Sequence, residues 1–152
     1  MRSFAFLTAL LFSVPTVAQA ASDADLYKRC AQCHLPSGAG VPGTFPPLDP
    51  HLGKIAASPE GRAYLILVAT QGLSGQLKVG SQVYRNMMPA QNLSAADTAA
   101  VLNYILNRFS SEGLPQDWKP ITEAEVSEAR SVHAGAKAPD LHKLREKALE
   151  GK

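Results

Sequence analysis

Two thiols and an imidazole stand together in Cys30-Ala31-Gln32-Cys33-His34. On a helix, side chains three apart are surface neighbours, so both sulfur atoms share one face. That spacing suits addition of the two thiols to the two vinyl groups on one side of a porphyrin. The adjacent imidazole then reaches the iron. These are the only two cysteines in the chain, so a zinc knuckle would lack its second ligand pair. A thioredoxin-like redox pair needs a βαβ setting that the sequence does not offer. A structural disulfide accounts for the cysteines but gives His34 no purpose. The motif therefore points to covalent haem attachment, and one motif means one haem.

Iron held by an imidazole on one side leaves a second axial position. Apart from Met1, the methionines are Met87 and Met88, which precede Pro89 outside any helical apolar stripe. A methionine is ordinarily core filler; as a thioether ligand it would raise the reduction potential. His51, His133 and His142 compete in principle. His51 falls in a Pro-rich loop and the other two in a charged tail, so each is read as a solvated surface residue.

Helices must position these groups. Asp23 is placed to cap a helix running to about Cys33, with Asp25 favourable at its N-terminus. Residues 36–50 hold Pro36, Gly38, Gly40, Pro42, Gly43, Pro46, Pro47 and Pro50, and form a long loop. Pro59 to Gln71 carries Tyr64, Leu65, Leu67 and Val68, a helix ended by Gly72. Ser94-Ala95-Ala96-Asp97 is a capping box opening an apolar run with helical spacing, giving a helix of roughly 95–109. Thr122-Glu123-Ala124-Glu125 is a second box, starting a short helix to about Val132. Residues 140–150 make a marginal third. No convincing strand is present, and the expected fold is all-α.

The 152 residues amount to one domain with an extension. Residues 1–20 are laid out as a secretory signal peptide: Arg2, a short apolar run from Phe4 to Phe12, and Ala18-Gln19-Ala20 as the cleavage site. The apolar stretch is too short to span a bilayer, so the mature chain is expected to be exported, cleaved after Ala20, without a membrane span. Residues 21–109 form the haem domain and 110–152 a C-terminal extension. The extension reads either as a helical wrap or as a docking segment with Leu141, Leu144 and Leu149 in one apolar stripe. The net charge of +2 and the absence of any basic block argue against nucleic acid. Large apolar side chains are few for a domain with so long a loop, and a cofactor is expected to fill the middle.

Together, Cys30–His34, Gly38-Ala39-Gly40-Val41-Pro42-Gly43-Thr44-Phe45-Pro46-Pro47-Leu48, Met87-Met88-Pro89-Ala90 and the run Leu93–Ile105 resemble a class I c-type cytochrome. The resemblance covers about residues 22–109. It implies three to five helices around one covalent haem c, with His34 and a methionine on the iron. In this family the ligand immediately precedes the proline, which selects Met88 over Met87. Pro46 matches the proline whose carbonyl accepts a bond from the proximal histidine, and Leu48 matches a haem-packing leucine. Val101 and Tyr104 match the crossing of the C-terminal helix over the N-terminal one. In the family this crossing involves a glycine and an aromatic four residues before the first cysteine; here Leu26 occupies that place and Tyr27 the next, and no glycine precedes the motif, so the crossing is expected to be repacked.

The resemblance implies an electron carrier rather than an enzyme. It would pass single electrons in the periplasm between a dehydrogenase or respiratory complex and a downstream acceptor, as free carrier or electron-transfer subunit. A haem-based sensor or peroxidase-like enzyme is the alternative; it needs an open distal site. The loops Gly38–Pro47 and Gln82–Ala90 are expected to border the haem edge, with Lys28, Arg29, Lys78 and Arg85 as rim charges.

Overall fold

The computed structural model describes residues 22–150. The expected signal peptide lies outside them. No helix among the described residues is long and apolar enough to cross a membrane.

The first helix, α1 (Asp23–His34), carries the whole Cys-x-x-Cys-His motif. Its cap is Ser22 rather than Asp23: the Ser22 hydroxyl accepts from the Asp25 amide at 3.2 Å. Asp23 and Asp25 sit in the first turn, where carboxylates oppose the helix dipole. Leu35, at φ 64°, ends the helix and releases the chain into the Pro/Gly loop.

That loop gives way to a short helix, α2 (His51–Ala56), for which the sequence offers no local signal. It is too short to stand alone and forms because it lies against α3 and the 3-10 turn at Ser111–Gly113. Gly53 permits that contact, since a Cβ there would lie 2.2 Å from the Ser110 carbonyl oxygen.

The central helix, α3 (Pro59–Gln71), begins as expected, with Ser58 accepting from the Gly61 amide at 3.1 Å and Pro59 in the first turn. Tyr64, Leu65, Ile66 and Leu67 are consecutive and all buried. A helix apolar on every side must be surrounded, and α3 touches four other helices. A two-stranded antiparallel hairpin follows, β1 (Leu77–Val79) and β2 (Gln82–Tyr84), pairing Lys78 with Val83. The all-α expectation thus holds for the framework but missed this hairpin, whose three-residue strands are below the length at which alternation can be read.

Helix α4 (Ala95–Phe109) opens on its box: Ser94 accepts from the Asp97 amide at 3.0 Å and donates to the Asp97 carboxylate at 2.7 Å. It packs on α1 through Val101 and Ile105 against Leu26 and Tyr27. The crossing is repacked with aromatic rings: Tyr27 lies 5.4 Å from Tyr104 and 5.0 Å from Phe109 between centroids. A glycine is still used, but after the motif. The Phe109 ring rests on Gly38, where a Cβ would lie 2.8 Å from it.

The segment after residue 110 wraps the other helices. Helix α5 (Glu123–Val132), capped by Thr122, packs on α3 and α4, and α6 (Ala138–Glu150) packs on α3 and α2. Helix α6 begins slightly earlier than expected, at Ala138. The Arg62 guanidinium meets both Glu125 oxygens at 2.6 Å. The Asn103 amide both donates to and accepts from the Ile121 backbone at 2.8 Å. Arg130 donates to the Leu93 carbonyl at 2.7 Å. Val126, Leu141 and Ala148 are fully enclosed. The docking stripe is therefore not available: Leu141 is core, Leu144 packs against the core, and only Leu149 is exposed. Its target is the apolar surface of α3, within the chain.

Candidate haem-binding site

Two buried clusters result. Leu26, Tyr27, Leu48, Leu93, Val101 and Ile105 form the smaller, around α1 and α4; α3 anchors the larger with α5 and α6. A cavity of about 280 Å³ is lined by residues of both. Cys30, Cys33, His34, Pro46, Leu48 and Met88, the residues singled out in the sequence, all line it.

On one wall stands His34, buried at the last turn of α1. Its Nδ1 lies 2.8 Å from the Pro46 carbonyl oxygen. A carbonyl can only accept, so Nδ1 carries the proton and Nε2 keeps its lone pair. Burial pushes the imidazole pKa below the ordinary histidine value, with the bond to Pro46 acting the other way. The neutral ring is the form that binds metal. Gly40 makes the geometry possible: it adopts φ +63°, its amide donates to the His34 carbonyl, and a Cβ would lie 2.6 Å from the Pro46 carbonyl oxygen. Cys30 and Cys33 are free, half-buried thiols.

The opposite requirement falls on Met88. Its backbone exchanges two hydrogen bonds of 2.9 Å with Leu73, just beyond the end of α3. Gly72, at φ +80°, brings the strands together, since a Cβ there would lie 2.4 Å from the Met88 carbonyl oxygen. Met88 is half-buried and packs against the larger cluster, whereas Met87 borders the same cavity but is 69% exposed. Two thiols on one helix, one nitrogen lone pair, one thioether and largely apolar walls fit a haem: the soft sulfur and imidazole donors suit its iron, and the walls suit its ring.

Three lining residues escaped the sequence reading. Tyr64 of α3 is buried, which pushes its phenol up to about 12. His51 is not a solvated surface residue: it lines the cavity, half-buried, with an Nδ1 that is buried and without a hydrogen-bond partner. Arg145 reaches the cavity from α6. No local motif signals them, because each is brought in by packing of distant elements. His142 is likewise half-buried, 2.9 Å from the Ser74 carbonyl oxygen, and His133 is half-buried at the end of α5. Of the expected rim charges, Lys28 pairs with Asp25 at 2.6 Å and Arg29 donates to the Gln91 carbonyl at the cavity's edge.

A family model for cytochrome c matches residues 21–108. Two proteins of Thermus thermophilus, both cytochromes c-552, are similar to this chain along most of its length. Each is 40% identical to it over 112 residues, 73% of the chain, which cover 86% and 76% of those two proteins. The cavity, its donor set and these similarities agree: the chain belongs to the cytochrome c family, as a class I mono-haem electron carrier with a covalently held haem c.

Proposed function

We propose that Cys30 and Cys33 would carry the haem through thioether bonds and that His34 Nε2 and Met88 Sδ would bind its iron. The chain is exported, cleaved after Ala20, and works in the periplasm between a dehydrogenase or respiratory complex and a downstream acceptor. Residues 21–109 are its haem domain and 110–152 its extension. The haem, when bound, supplies an iron that alternates between ferric and ferrous states. The chain's own residues hold that iron in one geometry. Pro46 fixes the His34 tautomer and ring plane and raises its basicity. Leu73 and Gly72 hold the Met88 backbone in place, and Leu48 and Val101 keep water from the ring. The observation that carries the reading is the 2.8 Å contact between His34 Nδ1 and the Pro46 carbonyl, with Met88 on the same cavity.

The test is the intact mass of protein produced in a cytochrome-maturing host. It should equal the chain from Ala21 plus one haem, and Cys30→Ser/Cys33→Ser should lose the covalent haem. Haem that extracts into acidified acetone would overturn the attachment, and retained signal mass would overturn the cleavage.

A further inference from the structure

The backbone that follows Met88 is gripped by three different helices. The Gln91 amide donates to the Ala69 carbonyl of α3 at 3.0 Å, and the Gln91 carbonyl accepts from Arg29 of α1 at 2.8 Å. The Leu93 carbonyl accepts from Arg130 of α5 at 2.7 Å. Between those two carbonyls stands Asn92 at φ 49°, in the left-handed region. A residue with a Cβ is strained there and persists only where its surroundings hold it. On the other side of Met88, Arg85, Asn86 and Met87 are all exposed. Beyond the Leu73 pair, the grip on this segment therefore comes from the Leu93 side. Arg130 is half-buried, Leu93 and Thr98 beside it are buried, and its guanidinium also reaches the Thr98 hydroxyl at 3.5 Å. A charged donor shielded from water makes a strong bond.

We infer that Arg130 is a positioning residue for the Met88 ligand: by holding the Leu93 carbonyl it fixes the turn at Asn92, and with it the backbone that presents the thioether. The inference rests on Met88 being the ligand. Without Arg130 the buried Leu93 carbonyl loses this donor, which is costly, and the left-handed turn is held by Arg29 alone. Met88, itself only half-buried, can then leave the cavity more easily. Arg130 lies beyond the residues matched by the family model. The C-terminal extension would thus set how firmly sulfur stays on the iron, besides completing the core.

The test uses matured holoprotein carrying Arg130→Leu or Arg130→Lys. Arg62→Leu is the control, because Arg62 also bonds to α5 but through Glu125, with the Lys119 carbonyl as its other partner. The readouts are the affinity of the ferric protein for added imidazole, which enters where the thioether leaves, and the midpoint potential. Arg130→Leu should raise that affinity about tenfold, the worth of one hydrogen bond from a charged donor. It should also lower the potential, since a thioether ligand raises it. Arg130→Lys keeps the charge but not the fork and should fall between Arg130→Leu and the parent. Arg62→Leu should lower the melting temperature and leave both readings at the parent's values. Parent-level affinity in Arg130→Leu overturns the inference. An equal rise in Arg62→Leu does so too, because the cause would be general loosening. Should Arg130→Leu fail to accumulate, parent-level affinity in Arg130→Lys is the overturning result. A parent protein whose ferric spectrum lacks the sulfur-ligation band would instead sink the reading of Met88 itself.

Discussion

Neither His34 nor Met88, the two proposed iron ligands, holds itself in place; each leans on a glycine whose missing Cβ leaves room for a backbone carbonyl. Gly72 is the case beside Met88: its Cβ would strike the Met88 carbonyl, and φ is already +80°. Gly72→Ala should displace the Met88 segment, weakening the long-wavelength ferric band expected of sulfur ligation and costing about 1–3 kcal/mol of stability. Met88→Ala should abolish that band and let added imidazole bind the ferric iron. Met87→Ala should leave both unchanged, since its side chain is largely exposed. Ferric spectra with an imidazole titration decide this, and the reverse pattern would transfer the ligand role to Met87. That Cys30, Cys33, His34 and Met88 line one cavity was foreshadowed in the sequence because haem attachment demands fixed neighbours along the chain. Gly40 was legible only as loop punctuation and Gly72 only as a helix end, since the carbonyls they spare belong to other segments and are unknown until the chain is folded.

At the scale of elements, the C-terminal helices test what burial contributes. A chain ending near Gly135 loses α6, and with it Leu141 and Ala148 from the core. The expected result is a steep fall in melting temperature, not merely a weaker hold on a redox partner. Leu141→Ala should cost about 2–5 kcal/mol, whereas Leu149→Ala, on an exposed position, should stay within about 0.5 kcal/mol. Denaturant melts of the two variants separate core from surface. Equal losses would refute the assignment of Leu141 to the core. The capped helices α4 and α5 were legible because Ser94 and Thr122 announce them locally. Helix α2 and the hairpin were not, since short elements owe their existence to neighbours. The wrap itself left one unused sign. The run Tyr64-Leu65-Ile66-Leu67 is apolar on all sides, which requires more partners than residues 22–109 alone supply.

For the molecule as a whole, the division into two clusters across one cavity sets what happens without haem. Among the helices, α1 packs on α4, and of its residues Leu26, Tyr27 and His34 are buried. Its hold on the rest therefore depends on the group that its cysteines and histidine would anchor. Helix α3 by contrast is enclosed by α2, α4, α5 and α6, and the Arg62–Glu125 pair and the Asn103–Ile121 bonds tie that assembly independently of the cavity. Stability is unevenly distributed in such a structure, and local opening follows the sparse contacts. Cys30→Ser/Cys33→Ser protein, made without haem maturation, should keep slow amide exchange in α3, α5 and α6 and lose it in α1 and in the Met88 segment. Hydrogen exchange read by mass spectrometry resolves these elements. Fast exchange throughout would mean that haem organises the entire chain, and the larger cluster would then not be a self-supporting core. Protection preserved in α1 would mean that Tyr27, Tyr104 and Phe109 hold the crossing unaided, and the haem would be a guest in a finished fold rather than the link between its halves.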